Sequence, residues 1–203
     1  MTSTRIPDDD TLLDDTADPR PGLRDYLAVK RAALLARRKN ADGPDVPATT
    51  LRARTTAEDR SGVRRIRIRE HTVLSDSPAD FAGYDLGPSS PELQLGVLSS
   101  CLTHIYLIQA ADLRIPLDAL EVAVEAEHDG RAGTPGFEDV PVHPHNIRFT
   151  VYVTSPVPRG RIDELHAAVE RSCPIYHLLR EPQQVTGEVV HTLSGGPAGE
   201  DTR

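Results

Sequence analysis

The sequence predicts an α+β fold of antiparallel hairpins around one apolar helix, on three observations. Strand-like alternation occurs in two separate regions, around residues 51–69 and 120–154. An almost continuous apolar run, Leu95 to Ala111, lies between them. The order helix, two strands, helix, two strands, helix, strand lacks the alternation of a βαβ repeat. At 203 residues and 22.2 kDa the chain suits one domain with a real core. With 38% hydrophobic residues, 4% aromatics and no Trp, that core must be built mainly from Leu, Ile, Val and Ala.

Residues 1–21 carry six Asp against two Arg and read as a disordered acidic tail. GLRDYLAVKRAALLARRKN, residues 22–40, sets Leu23, Tyr26, Leu27, Ala33 and Leu34 at helical spacing, so an additional N-terminal helix is expected there. Its basic end suits a helix C-terminus and is read as a solvated face. In TTLRARTTAEDRSGVRRIRIRE, the alternation from Arg65 to Arg69 predicts a strand paired through the AEDRSG turn with one near Leu51–Thr55. FAGYDLGPSSP is a turn-rich loop into the apolar helix, with Ser90 as the expected N-cap and Pro91 at the first helical position. The apolar run counts about 17 residues and holds His104 and Gln109, which falls short of a membrane span and reads as a helix buried in protein.

LEVAVEAEH (120–128) and NIRFTVYVTS (146–155) alternate and predict a second hairpin with a long loop between them. RIDELHAAVERSC predicts a helix that breaks at Pro174, and QVTGEVVHTL a last strand. Residues 194–203 read as a flexible tail.

The net charge of −8 and pI near 5.4 argue against a phosphate-neutralising surface for nucleic acid and against docking on an anionic membrane. The N-terminus shows no secretory pattern, so a reducing, cytoplasmic setting is expected. Two cysteines 72 positions apart are poor material for a disulfide framework there; they are buried thiols or a redox pair.

Other residues invite chemistry more weakly. Cys101 with His104 and Cys173 with His177 make an incomplete zinc set beside a paired Cys-x2-Cys array. His143 and His145 in VPVHPHN read as loop histidines. Ser99 and Ser100 lack a nucleophile elbow, and GRAGTPG lacks the Lys-Ser/Thr of a phosphate loop. His104, three positions after Cys101, is a core histidine, a neighbour of the thiol or a metal ligand.

FAGYDLGPSSP, followed by PELQLGVLSSC and, after the later helix, by SCPIYHLL, resembles the OsmC/Ohr family of thiol-dependent peroxidases over residues 49–193. The resemblance implies an intertwined homodimer, with antiparallel sheets from both chains wrapped around central helices. It implies an organic hydroperoxide substrate, Cys101 as peroxidatic and Cys173 as resolving cysteine, an external dithiol reductant, and no metal or organic cofactor. An arginine of the first hairpin and a glutamate at the start of the buried helix complete such a site. Arg60 best matches the arginine by order, Arg69 is the alternative, and Glu92 matches the glutamate.

The chemistry sets its own demand. A thiol attacks an O–O bond as thiolate, and burial in apolar surroundings opposes ionisation. Cys101 lies too deep in its helix for the N-terminal dipole, so a guanidinium beside it is expected. Glu92 precedes Cys101 by nine positions, about 900° of helix and hence the opposite face. The competing class is a binding or stress-associated module of the same fold, catalytically silent, with both cysteines as inert core thiols.

Overall fold

The structure is a computed structural model that describes residues 22–40, 48–58 and 61–193. The acidic tail, the C-terminal tail and Arg60 lie outside the described residues. Antiparallel pairing in both sheets, with no βαβ crossover between strands of one sheet, makes the fold α+β.

Helix α1, Leu23–Asn40, buries only Leu27 and is fastened to the end of the long apolar helix α2, Ser90–Leu113, by its arginines. Arg31 donates to the carbonyl oxygens of Ala111 (3.0 Å) and Asp112 (2.7 Å), and Arg38 makes two 2.8 Å bonds to the Asp112 carboxylate. Carbonyls of a last helical turn have no intrahelical partner, so Arg31 supplies what the backbone lacks. The basic end expected to be a solvated face is therefore partly an anchor.

Strands β1 (Arg54–Ala57), β2 (Arg64–Ile68) and β3 (His71–Ser75) form an antiparallel meander in the order β1-β2-β3. The first hairpin is as expected; β3 is an addition. The turn into β3 carries no Gly or Asn, because Arg69 itself adopts the left-handed conformation with φ 54°. The loop after β3 needs its glycines: a Cβ on Gly83 would meet the Ser77 carbonyl oxygen at 1.8 Å, and one on Gly87 the Leu74 oxygen at 2.6 Å. Buried Asp76 gathers this loop, accepting from the Tyr84 and Leu86 amides at 2.9 and 3.2 Å.

Helix α2 is capped by Ser89, not by Ser90. The Ser89 hydroxyl accepts from the Glu92 amide, and the Glu92 carboxylate accepts from the Ser89 amide at 2.7 Å, a reciprocal box already spelled by Ser-x-x-Glu. Its 24 residues exceed the apolar run, and by length and composition the helix could cross a membrane. Here it is the core helix. Leu98, Leu102, Ile105, Tyr106, Ala110 and Ala111 are buried against the neighbouring elements.

Strands β4 (Ala119–Glu127) and β5 (His145–Thr154) pair in register Val122↔Val151 and Val124↔Phe149, with a bulge between Glu125 and Glu127. Their alternation sends Leu120, Val122, Val124, Phe149, Val151 and Val153 to the core. Helix α3, Arg159–Ser172, packs Leu165 and Val169 on α2, and a short helix α4 follows, Pro174–Arg180. The break at Pro174 is thus also a start, since proline suits a first helical position.

The last strand expected at 184–193 is absent: this segment has no regular secondary structure, with Val185, Val189 and Val190 about nine-tenths exposed. Alternation alone makes no strand without a sheet edge to receive it.

Candidate redox site

Cys101 lies in the middle of α2, and Cys173 forms the elbow between α3 and α4. Their sulfurs stand 3.5 Å apart, and both are free thiols. The elbow is built by the backbone. The Cys173 amide donates to Val169 O (2.9 Å) as the end of α3, and its carbonyl accepts from the His177 amide (3.1 Å) as the start of α4. Pro174, having no N–H, cannot continue the α3 ladder, so the chain turns at Cys173 with an extended φ and ψ of −79° and 111°.

The two thiols differ in access. Cys173 is wholly buried, and burial, first among the causes, pushes its pKa above the ordinary thiol value of 9.0. The neighbouring Cys101 raises it further, against the amides of Tyr176 and Ile175, which favour the anion. Cys101 is half-buried and lines an open depression of about 430 Å³ with Leu93, Gly96, Val97, Ser100 and His104. A small molecule reaching the pair from solvent meets Cys101 first.

The other residues singled out from the sequence fall differently. His104 is exposed and shares the depression with Cys101, so it is not a core histidine. Glu92 lines another cavity, about 380 Å³ beside Asp76, Asp85 and His128, away from the thiol face. Its carboxylate is engaged in the α2 cap, and the Ser89 hydroxyl and amide hold its pKa below the usual carboxylate value. Arg69 stands in the β2–β3 turn, its guanidinium 3.1 Å from the His71 ring. Neither arginine nor lysine lines the Cys101 depression among the described residues.

His145 and His177 are occupied locally. His145 lies 3.8 Å from Glu127 and, with His143, borders a cavity of about 760 Å³ that reaches Leu98, Phe149, Tyr176 and Arg180. His177 bonds Glu181 and the Arg171 carbonyl. Among the described residues no three His, Cys, Asp or Glu side chains converge as metal ligands. Sequence reasoning passed over Tyr176 and Arg180 and considered His177 only as a zinc ligand. The signal for them was a Cys-Pro pair read as a helix stop when it also opens the next helix.

Comparison with known proteins agrees with this architecture. The family model for OsmC-like protein matches residues 83–188, more than half of the chain. The crystal structure of an OsmC-like protein from Mycoplasma pneumoniae is similar at a TM-score of 0.56 and 16% identity, with 66% of this chain and 89% of that one covered. An OsmC-like protein of unknown function from Vibrio cholerae O1 gives 0.50 at 13% identity, covering 64% and 94%. The organic hydroperoxide resistance protein OhrB of Bacillus subtilis gives 0.43 at 18% identity, covering 65% and 91%. No curated protein matches the sequence. By its family match, and with a fold similar to that of the Mycoplasma pneumoniae protein, the chain belongs to the OsmC-like protein family.

Proposed function

We propose that this protein is a cysteine-based peroxidase that reduces organic hydroperoxides to alcohols. The observation that carries the reading is the 3.5 Å approach of an accessible and a fully buried sulfur. Cys101, as thiolate, attacks the distal peroxide oxygen; the O–O bond breaks, the alkoxide takes a proton and leaves as alcohol, and Cys101 becomes a sulfenic acid. The Cys173 sulfur then displaces hydroxide from it, water leaves, and a Cys101–Cys173 disulfide remains. Two thiols of an external dithiol reduce that disulfide and are themselves oxidised to a disulfide. The sequence of steps uses no metal or organic cofactor, and its need for a reductant fits a cytoplasmic setting.

The reading includes a homodimer. Val97, on the Cys101 face of α2, is 46% exposed, so the driest helix of the chain leaves one apolar flank uncovered. A second copy on that flank brings to Cys101 the guanidinium that its own described chain does not, from Arg60 or Arg69 of the first hairpin. With the arginine so supplied, Glu92 serves the helix cap.

The test is one equivalent of an organic hydroperoxide added to the reduced protein, with free thiols and intact mass followed. Loss of two thiols and of about two hydrogens in mass is expected. Unchanged thiols would leave the silent module with inert core thiols as the function of this fold, and undiminished peroxide consumption in Cys101→Ser would remove Cys101 from the chemistry.

A further inference from the structure

The turn after Cys173 is tied to the turn before it by side chains that the peroxide chemistry does not use. The Tyr176 hydroxyl donates to Glu170 Oε1 at 3.0 Å, while its ring stands edge-on to Phe149 at 6.0 Å. Arg180 covers that ring at 4.9 Å and donates from Nη1 to the hydroxyl oxygen at 3.0 Å. His177 reaches backwards, with Nε2 3.2 Å from the Arg171 carbonyl oxygen and Nδ1 2.9 Å from Glu181 Oε1. A carbonyl and a carboxylate only accept, so holding both requires N–H on both ring nitrogens.

Glu170 and Arg171 belong to the last turn of α3; Tyr176 and His177 belong to the first turn of α4. Between them stands Cys173, whose sulfur must close from 3.5 Å to a disulfide length of about 2.05 Å. Small errors of placement are costly in such a step. We infer that Tyr176 and His177 are positioning residues for disulfide closure: they clasp α4 to α3 across Cys173 and set the distance from its sulfur to that of Cys101. This rests on reading the pair as a disulfide-forming dithiol, whatever oxidant acts on it.

The clasp has a pH sign. The groups that face His177 are the Glu170 and Arg171 carbonyls of α3, the Tyr176 ring of α4 at 6.0 Å and the Glu181 carboxylate. The Glu181 bond first, then the Arg171 carbonyl, raise its pKa above 6.5. The His177 half of the clasp is complete below that ordinary value and keeps only one of its two bonds once pH has risen through the raised one.

The test equilibrates the reduced full chain with glutathione and glutathione disulfide: dithiol plus one glutathione disulfide gives the Cys101–Cys173 disulfide and two glutathiones, read by intact mass. Tyr176→Phe and His177→Ala each lower the equilibrium constant about fivefold to tenfold, the worth of one hydrogen bond. For this two-electron couple that is about 20–30 mV. Glu170→Gln, whose amide oxygen still accepts from Tyr176, stays within about twofold of the parent. The His177→Ala loss is full at pH 6 and shrinks as pH rises through the raised pKa of His177, whereas the Tyr176→Phe loss does not. Alkylation of Cys101 by iodoacetamide, measured with Cys173→Ser added to each variant, stays at the parent rate, which separates positioning from general loosening. An unchanged equilibrium constant in both variants, or equal losses in Cys101 alkylation, overturns the inference. A chain that passes this test but ignores hydroperoxide would sink the proposed function and leave the clasp standing.

Discussion

Cys101 and Cys173 are 72 residues apart in sequence and 3.5 Å apart between sulfurs. Two elements make that approach: α2 holds one sulfur in mid-helix, and the proline-driven elbow after α3 turns the other onto it. The roles can be separated with serine. Cys173→Ser is expected to stop after one oxidation, leaving Cys101 as a sulfenic acid that a dione reagent traps with a measurable mass gain. Trapping at the parent level would show that Cys173 does not resolve.

Burial of Cys173 gives the second step a pH dependence. Its pKa lies above the ordinary 9.0, so at neutral pH it is a thiol, and the attacking thiolate fraction grows about tenfold per pH unit. Stopped-flow oxidation should show disulfide formation still accelerating beyond pH 9. The linked stability has the matching sign: the reduced fold is favoured below pH 9 and loses that advantage as pH rises through the elevated value. Melting of Cys173→Ser should lack this alkaline loss.

Ser89→Ala removes the α2 cap and is expected to cost about 1 kcal/mol in denaturant unfolding. Glu92→Gln keeps an acceptor at the same place and should cost less, with hydroperoxide consumption at the parent rate. A loss of activity by orders of magnitude in Glu92→Gln would return Glu92 to the chemistry.

Arg31→Ala leaves the Ala111 and Asp112 carbonyls without their donor and should destabilise by about 1–2 kcal/mol, seen as a lower denaturation midpoint. The Arg38–Asp112 pair is exposed, so Arg38→Ala should cost less than about 1 kcal/mol. Neither substitution should alter the oxidation rate of Cys101, because α1 grips the far end of α2.

Val97→Lys places a charge on the exposed Cys101 face and leaves the core of the chain untouched. Sedimentation should find a dimer in the parent and a monomer in the variant, which retains its circular dichroism but reacts slowly with hydroperoxide. A variant that remains dimeric would place the subunit contact elsewhere.

Elements with a complete local pattern were legible in the sequence. The periodicity of 22–40, the paired alternations of β4 and β5, and the apolar length of α2 each name their own structure, because one buried face or a continuous core position imposes the repeat. The misreadings share another cause. Strand β3 follows a turn made by Arg69 in a conformation usually given to glycine, so no turn residue announced it. The segment 184–193 has the alternation of a strand but no edge within the described chain to pair with. The Ser-x-x-Glu box is written in the chain, but a carboxylate at the start of a cysteine-bearing helix suits chemistry as well as it suits a cap.

The sequence by itself determined the fold class, the apolar helix that carries Cys101, and the membership of both cysteines in one family pattern. These depend on local periodicity and on short motifs, which are properties of order along the chain. Tertiary structure alone decided that the sulfurs meet, which one faces solvent, that Glu92 points to another cavity, and that Tyr176 and His177 clasp the elbow. Those relations depend on how helices cross in space, and packing sets that crossing through contacts between residues far apart in the chain.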